Sequence, residues 1–311
     1  MCQNLGDRAN DKTMMRSSKL FAALLSFSLV LAPIGAQAQS VDQLFEQGSA
    51  ASAAGNSTQA EAIWRKVIRL APDNPFAYYN LGIELAKQNR SRDAIVAFQK
   101  VLTLPNRPGN PTSSHVLGYT GLGGVLADTE QFDRAITAYR QAIQLDPTFD
   151  DAYYSMSLAQ QQKGQTNEAI LNLRRTLKLN PDKVDAHIWL GILLRTQGKF
   201  AEATTSLRRA AELDSTSTWI YTSLGDVLLA QGKTEEAIKN YRVALNLPER
   251  SGLIGSAHTA TYNSLGLALQ RQGKLKEAIE AFQSAIDLNA NYAAARNNLR
   301  EAQRLLGKPK E

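Results

Sequence analysis

Seven alanines divide this chain into units. Ala60, Ala94, Ala135, Ala169, Ala203, Ala237 and Ala278 follow one another at spacings of 34, 41, 34, 34, 34 and 41 residues, and other residue types fall into register on them. Twelve residues before each alanine stands a glycine or serine: Gly48, Gly82, Gly123, Ser157, Gly191, Gly225 and Gly266. Four residues after it stands a large apolar residue: Trp64, Phe98, Tyr139, Leu173, Leu207, Tyr241 and Phe282. Between the halves of each unit lies a turn residue, Gly55, Asn89, Glu130, Gly164, Gly198, Gly232 or Gly273, and Pro72, Pro147 and Pro181 close three units. A period of this length confines the chain to an array in which each unit contacts only its neighbours, so 311 residues need not share one central core.

Each unit reads as two helices joined by a tight turn. Helices cross closely only where side chains are small, so the glycine and alanine columns mark the contact between helix A and helix B of a unit. The large column fills the space beside them. A left-handed residue at the turn ends helix A, and proline ends helix B. The composition, 43% hydrophobic and 21% charged with 10 prolines, suits a folded helical chain rather than a disordered one.

These columns resemble those of the tetratricopeptide repeat family, from residue 41 to about 292. The resemblance implies an all-α fold: a right-handed superhelical solenoid of about seven helix-turn-helix repeats. They lie near 41–74, 75–108, 116–149, 150–183, 184–217, 218–251 and 259–292, followed by a capping helix and tail over 293–311. It also implies a concave groove in which a partner lies on helix A residues at repeat positions 2, 5, 9 and 12. Those positions include Phe76, Tyr79 and Ile83 in repeat two and Tyr154 and Leu158 in repeat four. Repeat five adds Ile188, Ile192 and Arg195, repeat six Trp219 and Asp226, and repeat seven Asn263. Such a surface is apolar and aromatic with scattered polar groups, which suits protein binding. The competing reading is that some of these side chains touch the neighbouring repeat instead. One subclass of the family grips a peptide's C-terminal carboxylates with lysine at position 5. Here position 5 reads Phe45, Tyr79, Thr120, Tyr154, Ile188, Thr222 and Asn263, so that clamp is not expected.

Two spacings exceed 34 by seven residues, and both inserts have the same character: 104–115 and 247–258 each begin Leu-Pro and end in histidine. They stand 143 residues apart, the length of one 41-residue and three 34-residue units, which reads as a duplicated block of four repeats. Thr112, Ser113, Ser114 and Ser256 can cap a helix, so helix A of repeats three and seven is expected to begin a turn or two early. The inserts read either as tolerated edge loops or as a lip of the groove. Gly118, Gly121, Gly123 and Gly124 fall on helix A of repeat three, where each glycine loosens the helix by about 1 kcal/mol relative to alanine.

At the N-terminus, Arg16 and Lys19 precede an apolar run from Leu20 to Ile34 that ends in Ala36-Gln37-Ala38, the pattern of a secretory signal peptide over residues 1–38. An uncleaved anchor is the alternative, but Ser26, Ser28 and Pro33 interrupt a run shorter than the ~20 residues a span needs. The only cysteine, Cys2, lies before the expected cut, so disulfides and thiol ligands are not expected in the mature chain. Cleavage would leave 31 bases against 27 acids, a weak argument for an anionic partner.

A second stripe on helix B (Arg65, Lys66, Lys100, Arg140, Arg174, Arg175, Arg208, Arg209, Arg242) reads as a salt-bridged outer face, with Asp133, Glu168 and Glu202 offsetting it. His115, His187 and His258 are too far apart in the repeat order to share a metal, and no nucleophile elbow or paired His-carboxylate motif occurs. The expectation is a non-enzymatic exported scaffold without cofactor, in the periplasm or, in a host with thylakoids, their lumen. Its partner is a protein or peptide, not nucleic acid, and membrane contact is at most peripheral. Its role is assembly of an envelope or membrane complex; the alternatives are a structural link through the basic face and an accessory that presents substrates to an enzyme.

Overall fold

The computed structural model describes residues 40–109, 112–248 and 257–307. The expected signal segment over 1–38, most of the second insert and the last four residues lie outside them. Among the described residues there are fifteen α-helices and no strands. Residue contacts divide the chain into two compact units, 1–172 and 173–311.

The first unit contains α1 (Val41–Ala53), α2 (Ser57–Leu70), α3 (Pro75–Lys87), α4 (Ser91–Thr103), α5 (Ser114–Asp128), α6 (Phe132–Leu145) and α7 (Asp150–Gln162). It also holds the first half of α8 (Thr166–Leu179), inside which the division falls. Odd-numbered helices are helix A of a repeat and even-numbered ones helix B. From α1 to α7 each pairs with the next along the chain, and α5 also packs on α3 and on α7, so the A helices form a layer of their own. The second unit continues with α9 (Val184–Thr196), α10 (Phe200–Leu213), α11 (Thr218–Ala230), α12 (Thr234–Asn246), α13 (Ala257–Arg271), α14 (Leu275–Leu288) and α15 (Ala293–Leu306). Here α9, α11, α13 and α15 form the A layer.

The columns explain the packing. Every column alanine is fully buried. The glycine column meets the large column: a Cβ on Gly48 would lie 2.7 Å from the Trp64 ring, and on Gly225 2.5 Å from the Tyr241 ring. The close approach is therefore helix A backbone against a helix B ring, sixteen residues on, rather than glycine against alanine. Burying a large apolar side chain in this way contributes about 1.5–3 kcal/mol.

All seven turn residues have positive φ, including Asn89 and Glu130, both at 59°. The amide after each donates to a carbonyl five residues back, as in Arg90 N to Leu85 O at 2.9 Å and Lys199 N to Leu194 O at 2.9 Å. This satisfies the last carbonyls of helix A and turns the chain sharply into helix B.

The first insert differs from expectation. Helix α5 begins at Ser114, two residues before the repeat boundary rather than a turn or two. Its Ser113 cap makes no side-chain bond, and the orphan amide of His115 is satisfied instead by Asn106 Oδ1 at 3.1 Å. Arg107 pairs with Asp73 at 2.6 Å, and Thr112 donates to Asp146 at 2.9 Å, so the insert is tied to the turns on either side. In the second unit α13 is described from Ala257, and residues 249–256 of its insert lie outside the described ones.

Candidate functional site

In the first unit Phe76, Tyr79 and Ile83 project from α3 and are half-buried. Phe76 lies under the first insert, where a Cβ on Gly109 would be 3.0 Å from its ring. Tyr79 stacks obliquely on Phe98, with ring centroids 5.8 Å apart. Burial, and secondarily the carboxylate of Asp151, pushes its pKa up to about 12, so its hydroxyl remains neutral. Leu158 on α7 is half-buried as well.

Tyr154, Ile188 and Asn263 are placed differently from the expectation of an open groove. Tyr154 is 1% exposed and Ile188 2% exposed, each inside its own unit. Asn263 is buried and accepts a hydrogen bond from Asn298 Nδ2 at 2.8 Å. The cause is the helix face that position 5 occupies: it points at the seam between successive A helices. Thr222 at the same position bonds Thr261 of α13 at 2.7 Å. Position 5 therefore supports the seam, and positions 2, 9 and 12 carry more of the open surface.

In the second unit that surface is built on α9, α11 and α13. Ile192 and Arg195 come from α9, Trp219 and Asp226 from α11, all half-buried, and Leu267 from α13 is 37% exposed. Trp219 packs edge-on against Trp189, with centroids 5.5 Å apart. Asp226 accepts a hydrogen bond from the Tyr241 hydroxyl at 2.7 Å. Burial raises the Asp226 pKa, while Tyr241, the Arg195 charge and Ser264 oppose the rise. The Tyr241 hydroxyl is raised by burial first and by Asp226 next, so it stays protonated and donates. Tyr292 is likewise raised, by burial and then Asp226. The polar members Ser264, Tyr292 and Asn298 did not emerge from the sequence columns. Tyr241 stood in the large apolar column, where only its hydroxyl hinted at a polar partner.

The helix B stripe is tied between repeats. Arg174 reaches Glu202 at 2.5 Å, Arg242 reaches Glu277 at 3.4 Å and Arg209 reaches Asp182 at 2.8 Å. Exposed pairs of this kind contribute about 0–1 kcal/mol each. His115 and His187 donate through Nε2 to Leu104 and Pro181 carbonyls, both at 2.8 Å, and so fasten their own loops. An open depression of about 550 Å³ at the hairpin turns, lined by Lys199, Arg208, Gln231 and Lys233 among others, lies away from the A layer. No helix among the described residues is long and apolar enough to cross a membrane.

Sequence profiles described as tetratricopeptide repeat match residues 45–111, 154–218, 220–250 and 259–292, and one described as TPR repeat matches 123–164. A comparison with curated proteins finds no match. Among solved structures, a tetratricopeptide repeat protein from Parabacteroides merdae is 17% identical, with a TM-score of 0.57 over 85% of this chain and 98% of that one. The C-terminal part of a TPR repeat-containing protein from Cytophaga hutchinsonii is 16% identical, with a TM-score of 0.59 over 83% and 98%. YrrB, described as a TPR protein with an unusual peptide-binding site, is 22% identical, with a TM-score of 0.50 over 60% and 92%.

Proposed function

The chain belongs to the tetratricopeptide repeat family, and from that premise we propose that it is an exported, non-catalytic scaffold whose A-helix surfaces hold a protein or peptide partner. The observation that carries this reading is the run of incompletely buried apolar residues at positions 2 and 9. These are Phe76, Ile83 and Leu158 in the first unit, and Ile192, Trp219 and Leu267 in the second. Folding gains nothing from leaving such side chains partly wet, whereas a partner that covers them gains contact area. The fold shared with YrrB, whose description names a peptide-binding site, is in keeping with that use.

The outer basic face is the weaker candidate, because Arg174 and Arg242 are engaged by acids of the next repeat and Arg209 by an acid of the one before. The N-terminal pattern of basic, apolar and small residues supports export to the periplasm, or to the thylakoid lumen in a host that has one. The role in that compartment is assembly of an envelope or membrane complex.

Two serine variants test the binding reading: Ile83→Ser with Leu267→Ser on the A layer, and Val96→Ser with Leu171→Ser on helix B, where both residues are 64% exposed. Pull-down from the envelope fraction should lose its partner with the first pair and keep it with the second. The opposite pattern would remove the basis for a groove partner. Cell fractionation with an Ala36→Lys, Ala38→Lys variant tests export, since large charged side chains block signal cleavage.

A further inference from the structure

Position 9 of helix A is aliphatic in four repeats, as Ile83, Leu158, Ile192 and Leu267. In repeat six it is Asp226. Nothing local asks for an acid there. The residue lies well inside α11 (Thr218–Ala230), so it neither caps the helix nor meets the positive end of its dipole. Tyr241 does not require it either. In repeat three the equivalent Tyr139 faces Gly124 at position 9; its hydroxyl is served by Ser155, and the acid near it, Asp128, comes from the end of α5 and not from position 9. Ser264 occupies the same place beside Tyr241.

The acid also works against its own helix. Burial disfavours its charge, and the groups around it only partly offset that. An aliphatic residue, as in the neighbouring repeats, avoids this cost. Around Asp226 the surface is apolar: Trp219 and Leu229 share its face of α11, two turns before and one turn after, and Ile192 and Leu267 flank it from α9 and α13. Positions 2, 5, 9 and 12 of this unit's three repeats hold Asp185 and Asp226 against Arg195, a net negative surface on a chain whose overall charge is +6.

We propose that the A-helix surface of the second unit selects an extended peptide that sets a lysine or arginine on Asp226 and a large apolar residue beside it on Trp219, Leu229 and Leu267. This rests on the reading that the surface holds a peptide. The incoming cation adds the compensation that Tyr241, Ser264 and the Arg195 charge supply only in part, and Arg195 is its competitor. A peptide without the cation would leave the carboxylate covered and poorly compensated, which is where discrimination arises.

The test uses three labelled twelve-residue peptides of glycine, serine and alanine with a central Leu-X-Leu, where X is lysine, glutamine or glutamate. Fluorescence anisotropy with the full chain should rank lysine about tenfold tighter than glutamine, with glutamate weakest, as expected for one partly buried charge-assisted contact. Asp226→Asn should erase the difference between the lysine and glutamine peptides, in part by tightening the glutamine peptide. Arg195→Gln, which does not touch the acid, should tighten the lysine peptide. If glutamine and lysine peptides bind alike in the unaltered protein, or if Asp226→Asn keeps the preference, the selectivity is wrong while peptide binding stands. If none of the three binds, both readings fall together.

Discussion

Replacing Gly121 by alanine should destabilise repeat three, whereas the same change at Gly124, three residues further along α5, should stabilise it. At position 121 the new methyl would lie 2.4, 2.7 and 2.8 Å from Cε1, Cζ and Cδ1 of Phe98. Ordinary carbon contacts are about 3.5–4.0 Å, so the two must separate by roughly 1 Å. The ring has little room to retreat, because Gly82 stands on its other side, where a methyl would already be 2.8 Å from the same Cε1. Overpacking of this kind costs about 1–3 kcal/mol, and the better helix propensity of alanine returns about 1. The net expectation is a loss of up to about 2 kcal/mol. At position 124 the nearest atom would be the Tyr139 hydroxyl at 4.0 Å, so only the propensity gain of about 1 kcal/mol remains. Arrays of repeats need not unfold in one step, so the assay is hydrogen exchange of the α4 and α5 amides under native conditions, with urea melts alongside. Protection should fall for Gly121→Ala and rise for Gly124→Ala. Shifts of the same sign would refute the claim that glycine 121 is there to admit a ring.

Gly198→Ala should cost about 1–2 kcal/mol although no atom lies within 4 Å of the new methyl, because φ is +72° and the penalty is purely conformational; a neutral melt would contradict this. Glu61 and Asp226 should respond to pH in opposite senses. Burial raises the Glu61 pKa, but hydrogen bonds from Arg65, Gln88 and Arg90 overturn that and leave it below 4.5. Its stabilisation is therefore present at neutral pH and lost as pH falls below that value, and the gap in Tm between the native chain and Glu61→Gln should close there. Asp226 has a raised pKa, so its contribution is most favourable below 3.8 and worsens as pH rises through the folded value; Asp226→Asn should gain Tm relative to the native chain at neutral pH and not at pH 3.5. Identical pH profiles for the two variants would show that the charge environments are misread.

The hairpins were legible because five columns repeat in register and each has a steric reason. The turn column is the clearest case: the seven residues picked out between the alanines all adopt positive φ, two of them without being glycine. Glycine packing against a ring, rather than against alanine, was not legible, since both columns are small and a linear spacing does not say which partner lies closer. The cap of α5 was misplaced for a similar reason. Asn106, nine residues before the amide it serves, becomes its neighbour only when the insert folds back. Position 5 shows the limit for the surface. Tyr154, Ile188 and Asn263 share a register with open residues, but the seam between adjacent A helices covers them. Contacts between repeats, such as Asn263 with Asn298 thirty-five residues later, depend on how hairpins stack, which the spacing of one hairpin does not encode.

Site-specific photo-crosslinking in cells reports whether a partner lies on the A layer. Benzoylphenylalanine placed at Ile83 and at Leu267, one site in each unit, should yield a discrete partner adduct, while the same group at Val96 and Leu171 on helix B should not. Adducts from the helix B positions alone would contradict the account.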